Sequence, residues 1–580
     1  MTNRGSAESA QKSTARWSES KSLDFIVVAG LLLVGGWLIF GQLGDAAFHD
    51  GDEALYATIA MEMAESGDWL TPHYWGEPFL HKPPLQYWLS GLAFKFVPGT
   101  AELKARFPSA VAGLVLLCVV YFITRRLAGT VAGAGAVLIL LFNHQFLFEH
   151  TARSANFDSM LMLLCFTGLV GGAYAHVGRL PKIVSAVSIA GVMLLKTPVA
   201  VFPLGSVFGY LLITNRKYLL LWLGWLGVSV VVIVLPWTLH QAITHGRVFW
   251  DTFFVYEILG RTGAAITAYQ SRFLHLEAFW RSFLPWSPLL VIAAFGSLAG
   301  WPSAGEAAVQ KRNVLKLMTG YAGLILVVLC FVPSKWPWYG LPAYSALVVV
   351  GAVWARDLLH TRWRVLLPPL LSVLVAVRVL LFDASSMYAP AARRSFHWPT
   401  ESKLLWFTED LPGSGEWIVA IAAIIAGIVL PVLWRSRRVV TATALVMAVL
   451  IYGVSLRTIA AVPRDYDGVT KQFVDELERR QLDRAYLIGF PQKPWYNNRM
   501  EPLTSFYFLS LRDVEFVDCG WDIECVRADH TGRVALIIHA NAASQSEELR
   551  RLINRLAPIR DRSEIWTLDP RPGGSYRRLG

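Results

Sequence analysis

The chain has 580 residues, of which 54% are hydrophobic and 16% charged, too apolar and too poor in charge for an ordinary soluble enzyme of this length. Its net charge of +11 does not point to nucleic acid, because the basic residues fall in short clusters between apolar runs and not on one face. What remains is a helical protein that crosses a bilayer many times.

Residues 1–22 are polar, Ser-rich and mixed in charge, and read as a cytoplasmic tail. The first apolar run continues past residue 40 without a small-residue cleavage site, so a retained span is expected and not a signal peptide. Apolar length predicts about 13 spans: 24–43, 106–124, 129–147, 157–176, 183–195, 199–213, 217–239, 284–300, 314–332, 337–355, 363–381, 416–434 and 439–458. The fifth and sixth are one long span or two short ones, with the break near Lys196, Thr197 and Pro198.

Positive charge marks the cytoplasmic side of span ends. It recurs in alternate loops, at Arg125 and Arg126, Arg179 and Lys182, Arg216 and Lys217, Lys311 and Arg312, Arg356, Arg362 and Arg364, and Arg435, Arg437 and Arg438. The N-terminus is therefore expected inside, and an odd number of spans puts the C-terminus outside.

Two segments are too long and polar to be turns. The first outer loop, 44–105, reads as amphipathic pieces near 53–66 and 83–97 lying along the interface. The tail, 462–580, has strand-like segments at Ala485 to Phe490, Ser505 to Leu509, Val514 to Val517 and Val534 to Ala540, with helical spacing from Ser544 to Leu556. The fold class expected is an α-helical polytopic membrane protein, with a membrane part at 23–461 and a small C-terminal α/β domain outside. Cys118, Cys165 and Cys330 fall inside spans and read as packing residues. Cys519 and Cys525 lie together in the tail, as a disulfide if that compartment is oxidising or as two separate small buried residues.

Three motifs carry chemistry. His49-Asp50-Gly51-Asp52-Glu53-Ala54-Leu55-Tyr56 follows the first span. Three adjacent carboxylates repel one another, so the arrangement calls for cations, a metal or a substrate; the plainer reading is a solvated helix N-terminus capped by Asp52. In His81-Lys82-Pro83-Pro84 the prolines fix a helix entry and hold Lys82 where an anionic headgroup would approach, or where it snorkels to lipid phosphates. Glu149-His150-Thr151-Ala152-Arg153-Ser154-Ala155-Asn156-Phe157-Asp158 leads into the fourth span. Asp158 at the interface is functional or ion-paired, with Arg153 as its natural partner.

Lys196, Arg261, Arg272 and Lys335 fall on the same outer side. With Lys82 they describe positive groups and acidic ones converging at the membrane surface, which suits a phosphate-bearing lipid carrying a sugar. His49, His73 and His81 share the first loop with the carboxylates, and His49 and His81 are metal candidates only, since no recognised zinc spacing is present. Neither a P-loop nor a GxGxxG cradle for a nucleotide appears.

The stretches GDEALYA, HKPPLQYW, ARSANFD, LLKTPVAVFP and SKWPWYGLPAYSAL resemble motifs of the GT-C glycosyltransferases of the protein O-mannosyltransferase superfamily, nearest its ArnT branch. The likeness covers about residues 20–380, and Lys196-Thr197-Pro198 stands where Lys-Gly-Pro is common. It implies an inverting transfer of 4-amino-4-deoxy-L-arabinose from undecaprenyl phosphate to a lipid A phosphate, at the periplasmic face of a bacterial inner membrane, with resistance to polymyxin and cationic antimicrobial peptides as the outcome. It further implies Asp52 as principal catalytic carboxylate with Glu53 beside it. Lys82 and either Arg272 or Arg261 would hold the carrier phosphate. Tyr56, Lys335 and Tyr339 would line the cavity, and Asp158 with Arg153 would complete the site. No cofactor or obligatory metal, no nucleic-acid partner and a monomer in membrane lipid are expected. The competing expectations are a GT-C enzyme with another acceptor and, without catalysis, a lipid transporter, against which the lack of a visible inverted repeat counts.

Overall fold

The computed structural model describes residues 24–48, 51–148, 150–260, 271–283, 286–300, 308–333, 335–359, 361, 425 and 469–488, and in the tail 492–493, 499–500, 506–507, 514–520, 525, 533–539, 563–568 and 576–578. In chain order the helices are α1 (Asp24–Phe40), α2 (Gly51–Ser66), α3 (Leu85–Phe96), α4 (Ala101–Ala128), α5 (Thr130–Leu141), α6 (His144–Phe148), α7 (Asp158–Ala173), α8 (Arg179–Lys196), α9 (Val201–Thr214), α10 (Arg216–Ser229), α11 (Leu235–Phe249), α12 (Leu274–Ser282), α13 (Ser287–Leu298), α14 (Ala308–Phe331), α15 (Tyr344–Leu358) and α16 (Val469–Glu478). Helix occupies each of the first ten apolar runs. The runs at 363–381, 416–434 and 439–458, and with them the count of 13, lie outside the described residues, as does the helical spacing at 544–556. Among the described residues, five helical stretches are long and apolar enough to cross a bilayer, and α1, α5 and α7 are shorter apolar helices.

Local chemistry sets the helix ends. The Thr100 hydroxyl accepts the Leu103 N–H at 3.3 Å, opening α4, and itself donates to the Gly44 carbonyl at 3.0 Å, tying the loop to the helix. Gly129, at φ 89°, closes α4 in a conformation that a side chain would strain, and the chain turns directly into α5.

The stretch Arg179–Thr214 is 36 residues of nearly continuous helix. A straight helix of that size would be about 54 Å long, well beyond a hydrocarbon core of about 30 Å. Contacts to α7 show that it folds back. Gly168 packs on Ile189 and Gly171 on Ser185, so α8 runs antiparallel to α7. Gly172 packs on Val207 and the Tyr210 hydroxyl reaches the Ala173 carbonyl, so α9 returns to the end of α7 from which α8 departed. Of the two expectations, two short spans are the observed one, and the chain reverses at the short 3-10 helix Thr197–Ala200.

From α10 the chain rises again through a π-helical segment, Val230–Val234, into α11. The Trp222 indole donates to Ser185 at 3.0 Å, while Trp237 and Gln241 donate to the Leu70 carbonyl at 3.0 and 2.7 Å. This one helical line therefore runs from the level of α8's start to the first loop.

The two pieces of the first loop are helices, but α2 does not lie on an interface. Residues 53–61 and Met63 are all buried, with no polar face left over. The reason is the tail: Phe473, Val474, Leu477, Phe506, Tyr507 and Trp566 form one apolar cluster with Phe48, Ala54, Ala57 and Met61, so α2 is covered on the side an interfacial helix would give to water. The Tyr507 hydroxyl accepts the Phe48 N–H at 2.7 Å and donates to Glu102 at 3.2 Å, and Lys471 pairs with Glu102 at 2.9 Å.

In the tail, a five-stranded sheet has the order Glu515–Gly520, Arg484–Ile488, Val534–His539, Ser563–Leu568, Tyr576–Arg578. The first four strands are parallel and the last is antiparallel. Three of the four expected strand segments are strands, whereas Ser505 to Leu509 is helical at Phe506 and Tyr507, whose rings are spent on Phe48 and not on a sheet face. Cys519 and Cys525 are joined in a disulfide.

Candidate active site

The GDEALYA and ARSANFD motifs meet at a buried carboxylate. Glu53 has no exposed surface, and both of its oxygens take hydrogen bonds from Arg106, at 2.7 and 3.2 Å. The Ala155 N–H adds a third bond at 2.9 Å. Arg106 spends its remaining donors on the carbonyls of Leu43, Ala46 and Ala47, at 2.7–3.0 Å. A carboxylate so enclosed has nothing left to offer a substrate. The expectation that Glu53 shares in the chemistry is corrected: it is a strut, and the effect is to hold Asp52 at the start of α2 and Asp158 at the start of α7 on one rigid frame.

Arg153 is corrected likewise. Its guanidinium donates to the carbonyls of Leu38, Ile39 and Gly41 at 2.8–2.9 Å, closing the C-terminal end of α1, where carbonyls lack intrahelical partners and a cation is favoured. The side chain observed near Asp158 is instead His150, with Nδ1 3.7 Å from Oδ2. Asp158 is 1% exposed, and neither of its oxygens finds a hydrogen-bond partner among the described residues.

Around Phe157 the expected residues do converge. The Lys82 ammonium lies 5.6 Å from the centre of the Phe157 ring and the Lys196 ammonium 5.0 Å, with Lys196 also 4.3 Å from the Tyr339 ring. Tyr56 packs on the same ring at 5.3 Å and on Tyr87 at 5.8 Å. The Tyr87 hydroxyl is held well above its ordinary pKa range by burial and, in addition, by the negative charges of Asp52 and Glu257. Two ammonium groups on one ring repel each other, so the arrangement favours an anion arriving between them.

The break in α8 delivers Lys196. Its backbone, at φ −156° and ψ 80°, leaves the helix just ahead of Pro198, which has no N–H to continue it. The Thr197 hydroxyl donates to the Met193 carbonyl at 2.7 Å, so threonine, where glycine is common, supplies a partner at the helix end. Tyr339 arrives on the 3-10 helix Pro337–Ala343, whose prolines predispose it to a tight turn.

Other expected residues stand apart. Lys335 is buried, and its ammonium donates to the carbonyls of Cys330 and Ser271 at 3.1 and 3.4 Å, which staples the end of α14 to the turn before α12. Arg272 is exposed on that turn, and His49 and Arg261 lie outside the described residues. His81 pairs through Nδ1 with the buried Glu257 at 3.0 Å. Among the described residues no three His, Cys, Asp or Glu side chains gather as a metal site. Phe157, the hub of the cluster, carried no signal of its own, being one aromatic residue among the 31 phenylalanines of the chain.

This geometry is that of a polytopic fold with an anion-receptive, aromatic-walled cluster where several helices begin or break. Solved structures of ArnT from Cupriavidus metallidurans share the fold: the apo form superposes with a TM-score of 0.61 at 19% identity, covering 95% of this chain and 93% of that one. The form bound to undecaprenyl phosphate superposes with a TM-score of 0.59 at 18% identity, covering 93% of each. Residues 81–240 match the family model described as dolichyl-phosphate-mannose-protein mannosyltransferase. An uncharacterised protein of Aquifex aeolicus is 29% identical over 54% of this chain and 61% of its own length. The undecaprenyl phosphate-alpha-4-amino-4-deoxy-L-arabinose arabinosyl transferase of Edwardsiella ictaluri is 27% identical over 53% of this chain and 55% of its own. The chain thus spans little more than half the length of these curated relatives. It shares the fold of the ArnT structures and is similar in sequence to the mannosyltransferase family model and to the arabinosyl transferases, over part of its length.

Proposed function

We propose that this chain transfers 4-amino-4-deoxy-L-arabinose from undecaprenyl phosphate to a phosphate of lipid A, with inversion, at the periplasmic face of the inner membrane. The observation that carries the reading is the pair of ammonium groups, Lys82 and Lys196, gathered on the Phe157 ring. As the bond from the anomeric carbon to the carrier phosphate breaks, charge builds on the departing phosphate, and preorganised cations stabilise that charge in the transition state. An acceptor phosphate is already ionised near neutral pH and needs no strong base. Asp52 then acts at least as much by orienting the donor's amine or the acceptor as by taking a proton. Masking anionic phosphates with amines would lower the attraction for cationic peptides, which is the resistance expected.

A second reading is favoured by the description of the matching family model: transfer to a protein hydroxyl. That acceptor must lose a proton, so Asp52 would then serve as general base. Mass spectrometry of lipid A separates the two, using a strain that lacks its own enzyme and expresses the wild type, Lys82→Ala or Asp52→Ala. Gain of the aminosugar with the wild type and its loss in both variants, each still inserted, supports the first reading. Unmodified lipid A with glycosylated membrane protein supports the second. Turnover by purified protein in detergent with donor and acceptor excludes a lipid transporter.

A further inference from the structure

We propose that His150 is a positioning residue of the transfer site, holding the Asp158 carboxylate while Trp338 holds the imidazole. This rests on the functional reading above and adds to it a residue outside the motif positions discussed there.

Three observations meet at His150. Its backbone is left-handed, at φ 59°, a conformation that residues with a Cβ seldom adopt and that is strained when held. Such strain persists only where the surroundings over-determine it. Here the surroundings are aromatic: the imidazole lies flat on Trp338, with centroids 3.7 Å apart and planes 13° from parallel, and Trp338 lies in turn on Trp336, at 4.9 Å and 19°. A ring stacked in this way cannot swing freely, so its edge is aimed. It is aimed at Asp158, with Nδ1 3.7 Å from Oδ2.

That distance is within reach of an ion pair and beyond that of a hydrogen bond. Asp158 has no hydrogen-bond partner for either oxygen among the described residues, and a buried carboxylate in that condition is expensive. Arg153, five residues before it, cannot relieve the cost, because it is committed to the end of α1. The remaining relief is a short movement of His150 when a polar substrate enters beside Phe157. Hydrogen bonds in empty sites are commonly long and tighten in the complex. Closing this one would fix one carboxylate oxygen and leave the other to meet the substrate.

The test separates positioning from scaffolding. His150→Gly removes the imidazole and relaxes the left-handed backbone, whereas His150→Asn keeps an N–H donor on a residue that tolerates that backbone. With purified protein, undecaprenyl phosphate-linked aminoarabinose and lipid A, the glycine variant is expected to lose about 10- to 100-fold in kcat, with KM for the donor within about threefold of wild type. The asparagine variant is expected to recover most of the loss. A glycine variant with wild-type kcat, or one whose kcat and KM move together with no rescue by asparagine, overturns the proposal. Should the glycine variant fail to insert, His150→Phe takes its place, keeping a stacking ring without the donor. Turnover by His150→Phe equal to that of His150→Asn overturns the proposal, and turnover at least tenfold lower supports it. Absence of turnover by the wild type overturns the functional reading and the role of His150 with it; wild-type turnover with an indifferent His150 overturns the latter alone.

Discussion

Arg106 and Arg153 turn their guanidinium groups onto backbone carbonyls and Glu53, whereas Lys82 and Lys196, from neighbouring segments, hold theirs over the face of Phe157. The two sets lie close in the fold, and sequence position alone does not tell them apart. Their chemistry does. Arginine presents a rigid planar fork that can satisfy several fixed acceptors at once, which suits a buried strut. Lysine carries a compact charge on a flexible stem, which suits a ligand that comes and goes. The frame is therefore built with arginine and the proposed phosphate site with lysine.

The sharpest way to break this contrast is to attack the frame. Arg106→Ala leaves Glu53 buried and uncompensated, a loss of about 3–5 kcal/mol of stability that thermal unfolding in detergent will report. Arg106→Met combined with Glu53→Leu is expected to recover a large part of that loss, since an apolar pair of similar size avoids the buried charge. A double variant no better than Arg106→Ala would mean that the carbonyl contacts at Leu43, Ala46 and Ala47 matter more than the ion pair.

Lys82→Ala should show the opposite signature. The expected outcome is a fall of about 100- to 1000-fold in transfer with little change in unfolding temperature, read from single-turnover assays beside a melting curve. If melting drops as far as for Arg106→Ala, Lys82 belongs to the frame and the contrast fails.

Two smaller effects sharpen it. Tyr507→Phe strands the Phe48 N–H and should cost about 1–3 kcal/mol, loosening the tail from α2; protection of α2 amides in hydrogen exchange will show whether the tail helps to hold Asp52. Phe157→Leu keeps apolar volume but removes the π face shared by both lysines, a loss of about 0.5–1 kcal/mol per contact. A two- to tenfold rise in KM for the donor is expected, with the frame unaffected.

What could be read from sequence was whatever is local. Apolar run length marks where long helices form, so the helices over the first ten apolar runs were legible, and alternation located the strands at Arg484–Ile488, Glu515–Gly520 and Val534–His539. Motif residues Tyr56, Lys82, Lys196 and Tyr339 were legible as a group for a similar reason, since polar residues at span ends on one side have few places to go. Only the tertiary structure decided how charges pair across 50 or 100 residues of chain. Arg153 and Asp158, neighbours in sequence, part company, and Glu53 finds Arg106 instead. Interhelical packing sets those distances, and no run length or period encodes it. The same is true of α2, whose residues do not announce that a tail more than 400 positions away will cover them, and of Phe157, which becomes a hub only because α8 breaks where it does.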